Sequence, residues 1–146
     1  MVTNYSDLEP LFEIKLEYKE SVPPVSLEGK VGEYIGSGEG TVVGPEVNGT
    51  VHWTLFEGQN ERVCQSNLFG VISTADGAEI KFDSMGLFMV PDREKPHLWK
   101  TSAGVSFETN NENYLWINSL LGVWEGEFDS KSYRHHYRIY ARVEDR

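Results

Sequence analysis

The sequence predicts an all-β protein: an eight-stranded antiparallel up-and-down β-barrel with one short helix. The chain divides into eight extended segments, and residues 11–20 show the pattern most plainly. There Phe12, Ile14, Leu16 and Tyr18 alternate with Glu13, Lys15, Glu17 and Lys19, which gives one apolar and one wet face. Most segments are joined by short turns, and no βαβ spacing interrupts them. A meander of eight strands exposes two edges unless it closes on itself, so a barrel is preferred over a β-sandwich.

Size and composition fit this picture. A chain of 146 residues suits one domain and can bury about two-thirds of the surface exposed when unfolded. Residues 1–10 read as a flexible N-terminal arm and 11–146 as a single barrel domain. Hydrophobic content is 39%, and no apolar run approaches the ~20 residues needed to cross a bilayer. The N-terminal stretch lacks a basic region followed by an apolar one, so the expected compartment is the cytoplasm. A net charge of −10, spread along the chain, repels phosphate backbones and anionic lipid. Neither nucleic acid nor membrane is therefore an expected partner; a small hydrophobic organic ligand is, and a homodimer is compatible with the composition. The single cysteine, Cys64, excludes an internal disulfide and reads as a small buried hydrophobe.

Taken in order, the segment 30–44 carries glycines at 36, 38, 40 and 44, and Gly49 follows in the turn. Glycine at alternate positions bares one face of a strand, which suits a close backbone approach, a bend at a barrel corner, or room for a ligand. Asn48-Gly49 turns the chain into 51–56, which carries Val51, Trp53 and Leu55 on one face. Residues 57–60 turn it again into 62–74. Asp76-Gly77 is the sharpest hairpin signal, because both residues tolerate positive φ. The strand 78–90 sets Ile80, Phe82, Ser84, Gly86 and Phe88 against Glu79, Lys81, Asp83, Met85 and Leu87. A charged loop from Pro91 to Pro96 precedes the strand 98–109. Asn-capped residues 110–120 are expected to form a turn or two of helix closing one end, with Tyr114, Ile117 and Leu121 on one face. Segments 120–129 and 132–145 complete the set.

The runs GSGEGTVVGPEVNGTV, STADGAEI, FETNNENYLWINS and YRIYARV together resemble the DUF3237 (UPF0311) family over about residues 10 to 144. The resemblance implies a small barrel of lipocalin-like appearance and no settled activity. The chain departs from the family pattern at Ile117, where Leu is usual, and at Phe69, where many relatives carry His or Arg.

The standard catalytic signatures are missing. The four histidines, His52, His97, His135 and His136, show no metal-ligand spacing, and His135 and His136 must point to opposite faces of a strand. His136 shares its face with Arg138, Tyr140 and Arg142 and reads as solvated. No nucleophile elbow is present, and GSGEG lacks the lysine and helix of a phosphate loop. No metal and no cofactor is expected. What remains is polar groups that could face the interior. On 63–74, Gln65, Asn67, Phe69 and Val71 oppose Cys64, Ser66, Leu68, Gly70 and Ile72, and either set could be inward. Glu125 lies between Trp124 and Gly126; buried there, its carboxyl would be desolvated and poised for acid or base work. The expected catalytic pair is thus Glu125 with Asn67, and Trp53, Phe69, Trp124, Lys100, Asp83 and Glu108 are the expected substrate contacts. The corresponding function is a cofactor-independent isomerase, cyclase or lyase acting on a small hydrophobic or aromatic molecule inside the barrel. The alternatives are a barrel that binds such a ligand without changing it and a structural or oligomerising domain whose barrel is plugged by Trp and Phe.

Overall fold

The computed structural model describes residues 8–18, 25–26, 33–60, 63–132 and 134–142. The first seven residues of the expected arm, the Pro23-Pro24 loop and the side chain of Cys64 lie outside the described residues. The strands are β1 (Leu8–Tyr18), the two-residue β2 (Val25–Ser26), β3 (Glu33–Val43), β4 (Gly49–Asn60), β5 (Val63–Thr74), β6 (Glu79–Met89), β7 (Leu98–Glu108), β8 (Leu121–Asp129) and β9 (Arg134–Arg142). Pairing is antiparallel in the order β1-β9-β8-β7-β6-β5-β4-β3, and β3 returns to β1 from Glu13↔Val43 to Tyr18↔Gly38. The eight long strands therefore close into an up-and-down barrel, as the alternation predicts. β2 adds only the pairs Val25↔Ile35 and Ser26↔Tyr34 to β3.

Among the described side chains the eight long strands bury alternate residues, and the apolar sets meet on the barrel axis. Ile14 and Leu16 of β1, Val51, Trp53 and Leu55 of β4, Ile80 and Phe82 of β6, Trp124 of β8, and Tyr137 and Ile139 of β9 are all buried in one cluster. β1 begins earlier than the sequence suggests. Leu8, Glu9 and Pro10 pair with Arg142, Ala141 and Tyr140, and the register shifts between Pro10 and Phe12. A proline has no N–H to give a ladder, and a bulge is a place where a strand tolerates one.

The bare face of the glycine-rich β3 is occupied. A Cβ on Gly38 would lie 2.0 Å from the Glu17 carbonyl oxygen and 2.8 Å from Cζ2 of Trp53. The glycine thus serves the close approach of β1 to β3, and the Trp53 ring fills the space above it. Trp53 Nε1 donates to the Glu39 carbonyl at 3.2 Å, which fixes the indole in that place.

One end of the barrel is closed by a 3-10 helix, Glu112–Ser119, with Asn111 as its cap. The Asn111 side chain accepts from the Asn113 N–H at 2.9 Å. Its apolar face corrects the expected one: Tyr114, Ile117 and Leu120 are buried, whereas Leu121 is 72% exposed. The 3-10 helix has three residues per turn, so positions three apart align, and the wider α-helical spacing picked the wrong leucine. No helix among the described residues is long and apolar enough to cross a membrane.

The β5–β6 hairpin is tied to this helix. Gly77 N–H donates to the Thr74 carbonyl at 3.0 Å, and the Tyr114 hydroxyl lies 2.9 Å from both Asp76 carboxylate oxygens. The Thr74 hydroxyl, and then that of Tyr114, hold the Asp76 carboxyl below its ordinary range. Tyr114→Phe is expected to move the Asp76 titration upward in a carbon-detected NMR pH series; an unchanged midpoint would show that the hydroxyl does not bind there. Gly77 has φ 94°, and a methyl group added there would meet nothing within 4 Å, so conformation alone penalises a side chain. Gly77→Ala should lower stability in urea by about 1 kcal/mol, and an unaltered midpoint would contradict the turn geometry.

Candidate functional site

The chemistry that the fold gathers is on β9. Its alternation turns His135, Tyr137, Ile139 and Ala141 inward and leaves Arg134 and the partly exposed His136, Arg138, Tyr140 and Arg142 on the other face. His135 is only 1% exposed, and its Nδ1 is hydrogen-bonded to the hydroxyl of the fully buried Tyr137. Aromatic rings enclose the imidazole. Phe128 stacks on it with centroids 4.2 Å apart, while Trp53 and Phe88 meet it edge-on at 5.5 and 6.0 Å. Tyr137 in turn lies 4.8 Å from Trp124, which stacks on Phe82 at 5.7 Å.

Burial pushes the His135 pKa down to about 3, because a lone imidazolium in an apolar shell loses its hydration. The ring is therefore neutral, with one nitrogen protonated and the other an acceptor. If Nδ1 is the acceptor, Tyr137 donates; in the other tautomer the roles reverse. Other inward hydroxyls are tied to strand carbonyls: Ser84 Oγ donates to Leu68 O at 2.9 Å and Thr101 Oγ1 to Leu87 O at 3.1 Å. A depression of about 280 Å³ on the barrel wall, lined by Leu16, Glu17, Glu127, Asp129 and Arg134, reaches His135.

The sequence-predicted residues divide between the two faces. Trp53 and Trp124 point inward and belong to the aromatic shell. Glu125, expected in the interior, is instead exposed on the outer wall, 3.5 Å from Arg138 Nε. The reason is strand parity: Trp124 and Gly126 take the inner face of β8, and Glu125 between them must face out. Asn67 is also outward, donating to Asp83 Oδ1 at 2.7 Å and to the Ser84 carbonyl at 3.0 Å. Lys100 bonds Glu127 at 3.2 Å on the outer wall. Partial burial works against ionisation of Glu127, but its bonds to Arg138 and Lys100 prevail and keep the carboxyl below its ordinary range. Phe69, Asp83 and Glu108 come together, though outside the barrel, where with His52, Lys81 and Ser106 they line a groove of about 880 Å³. Among the described residues no three His, Cys, Asp or Glu side chains gather as a metal-ligand set.

The residues that sequence reasoning passed over are His135 and Tyr137. A signal existed: once His136 is assigned to the arginine-bearing wet face, its neighbour has to face the core.

A family model described as "Protein of unknown function (DUF3237)" matches residues 6–142. The chain belongs to the DUF3237 family. This DUF3237 barrel is similar to a protein of unknown function from Clostridium acetobutylicum, with TM-score 0.78, 19% identity, and coverage of 92% of this chain and 97% of that one. It is similar to a β-barrel-like protein from Acinetobacter baumannii, with TM-score 0.75, 18% identity, and coverage of 92% and 94%. An enzyme from Penicillium herquei shares the fold at TM-score 0.61 and 21% identity, over 91% of this chain and 92% of that one. No curated protein matches the chain.

The buried imidazole makes the DUF3237 barrel sensitive to acid. Between pH about 3 and 6.5 the unfolded chain binds a proton that the folded one refuses, so stability rises with pH across that window. The expected contribution is a loss of about 1.4 kcal/mol for each pH unit below 6.5. Urea titrations of the wild type and His135→Phe from pH 7 to pH 4 read it as a difference in slope, and equal slopes would refute it.

Proposed function

We propose that this chain is a cofactor-independent enzyme of the isomerase, cyclase or lyase type, acting on a small hydrophobic or aromatic molecule inside the barrel. The observation that carries this reading is the His135–Tyr137 pair enclosed by Trp53, Phe88 and Phe128. The rings pack directly on His135, so a flat apolar substrate would have to take the place of one of them beside the imidazole; a neutral imidazole bonded to a phenol can then take a proton from one substrate atom and return one to another. Such chemistry requires no group beyond the two side chains. Its acid-base pair therefore replaces Glu125 and Asn67, both of which face outward. The description of the Penicillium herquei neighbour as an enzyme is compatible with catalysis on this fold.

One observation favours the second reading, a barrel that binds without catalysis. A base whose pKa is held near 3 is a weak proton acceptor at neutral pH.

A single probe separates the two. With 2-tetralone in D₂O, NMR reads deuterium incorporation at its α-carbons while quenching of tryptophan fluorescence reads binding. The wild type is expected to exchange the α-protons faster than buffer does. His135→Gln and Tyr137→Phe should each lose about a hundredfold or more of that acceleration, with quenching retained. Quenching by a wild type that gives no exchange would establish the binding barrel, and the absence of both would remove the interior site.

A further inference from the structure

The outer wall of the barrel has two unlike halves. Across β7, β8, β9 and β1, charges are paired within the chain: Glu127 lies 3.2 Å from Lys100 and 3.0 Å from Arg138, and Glu17 lies 3.4 Å from Arg134. The seam between β6 and β7 differs. Outward Met85, Leu87 and Met89 of β6 are 70%, 43% and 49% exposed. Their cross-strand neighbours on β7 are Gly104, Ser102 and Lys100. A row of large apolar side chains thus runs beside a row that is small at its first two positions. Further along the seam Lys81 stands opposite Glu108, and neither forms an ion pair with any described residue.

Gly104 has no explanation within one chain. It is exposed, its φ is not positive, and a Cβ added to it would meet nothing within 4 Å. Glycine in a strand weakens it and often marks a place where another group approaches closely.

We propose that the β6–β7 seam is the contact face for a second copy of the chain, with a two-fold axis running along the seam. A half-turn about that axis exchanges the two strands, so every β6 side chain lands over the β7 position paired with it in the other copy. Met85 then covers the bare Gly104 of the second copy, and Leu87 covers its Ser102. Lys81 meets the second copy's Glu108, and the reciprocal contact forms at the same time. One step outward, Phe69 and Leu121 occupy the same row on β5 and β8, through Phe69↔Asp83, Asp83↔Ser106 and Ser106↔Leu121, and they also meet. The surface is therefore complementary to itself in size and in charge, as a closed two-fold contact demands. Each copy carries a net charge of −10, which opposes association overall, so opposite signs facing across the axis matter for holding the pair together. The groove lined by Phe69, Lys81, Asp83 and Glu108 receives side chains of the second copy.

Sedimentation equilibrium from micromolar to sub-millimolar concentration should give the wild type a mass approaching twice 16.6 kDa. Gly104→Glu, shown to be folded by circular dichroism, should give the mass of one chain. The deciding test uses two variants. Lys81→Glu and Glu108→Lys each place like charges across the axis and should weaken association by about tenfold or more. An equimolar mixture of the two restores opposite signs at both contacts and should recover association near the wild-type strength. A wild type that sediments as one chain throughout, or a mixture no tighter than either variant alone, overturns the proposal and leaves the seam to a partner of other chemistry.

Discussion

Closure of the sheet between β1 and β3 is the constraint on which the rest of this structure depends. Eight strands that stop short of closing would leave β1 and β3 as open edges, and the pairs from Glu13↔Val43 to Tyr18↔Gly38 remove both. Closing the ring brings the β1 backbone onto β3 at a distance that no side chain on Gly38 could accept. The space that glycine vacates is taken by Trp53, whose indole is anchored to Glu39 and lies edge-on to His135. A backbone requirement at one seam thus orients Trp53 on β4, and the indole reaches across that seam to His135 on β9.

Much of this architecture can be read from period-two alternation. The segments 11–20 and 78–90 declare their faces because charged and apolar residues strictly alternate in them, and Asp76-Gly77 announces a hairpin through its backbone tolerance. The site was less legible. β5 mixes polar and apolar residues on both faces, so the choice between Asn67 and Leu68 depended on neighbours that alternation alone does not supply. On β8 the indole decides it: facing Trp124 outward would expose a large ring and bury two carboxylates, Glu125 and Glu127. On β9 the answer was available, because Arg138 and Arg142 leave the opposite parity to His135 and Tyr137. The helix shows another limit, since a three-residue period and a 3.6-residue period separate only after two turns, and Leu120 and Leu121 fall where they diverge.

The distribution of charge follows from the same geometry. With a core this aromatic, the carboxylates of β8 have their counterions outside: Glu125 beside Arg138 and Glu127 between Arg138 and Lys100. These pairs are exposed or half-exposed and cross-strand, so each contributes little by itself. Their arrangement matters more for register, because slipping one strand by a residue would turn a charged row into the core.

The pairing of β1 with β9, from Leu8↔Arg142 to Glu17↔Arg134, has a temporal side. During synthesis β1 emerges early and can find β3 soon afterwards, yet its other edge stays open until nearly the whole barrel has left the ribosome. Contacts so distant in sequence raise the contact order, which slows folding. Any sheet formed in that interval would have one unpaired edge on β1 and another on the strand made last, with its aromatic face open to water. The β1–β9 ladder joins the two ends of the chain, whereas His135 meets Phe128 already across the β8–β9 ladder.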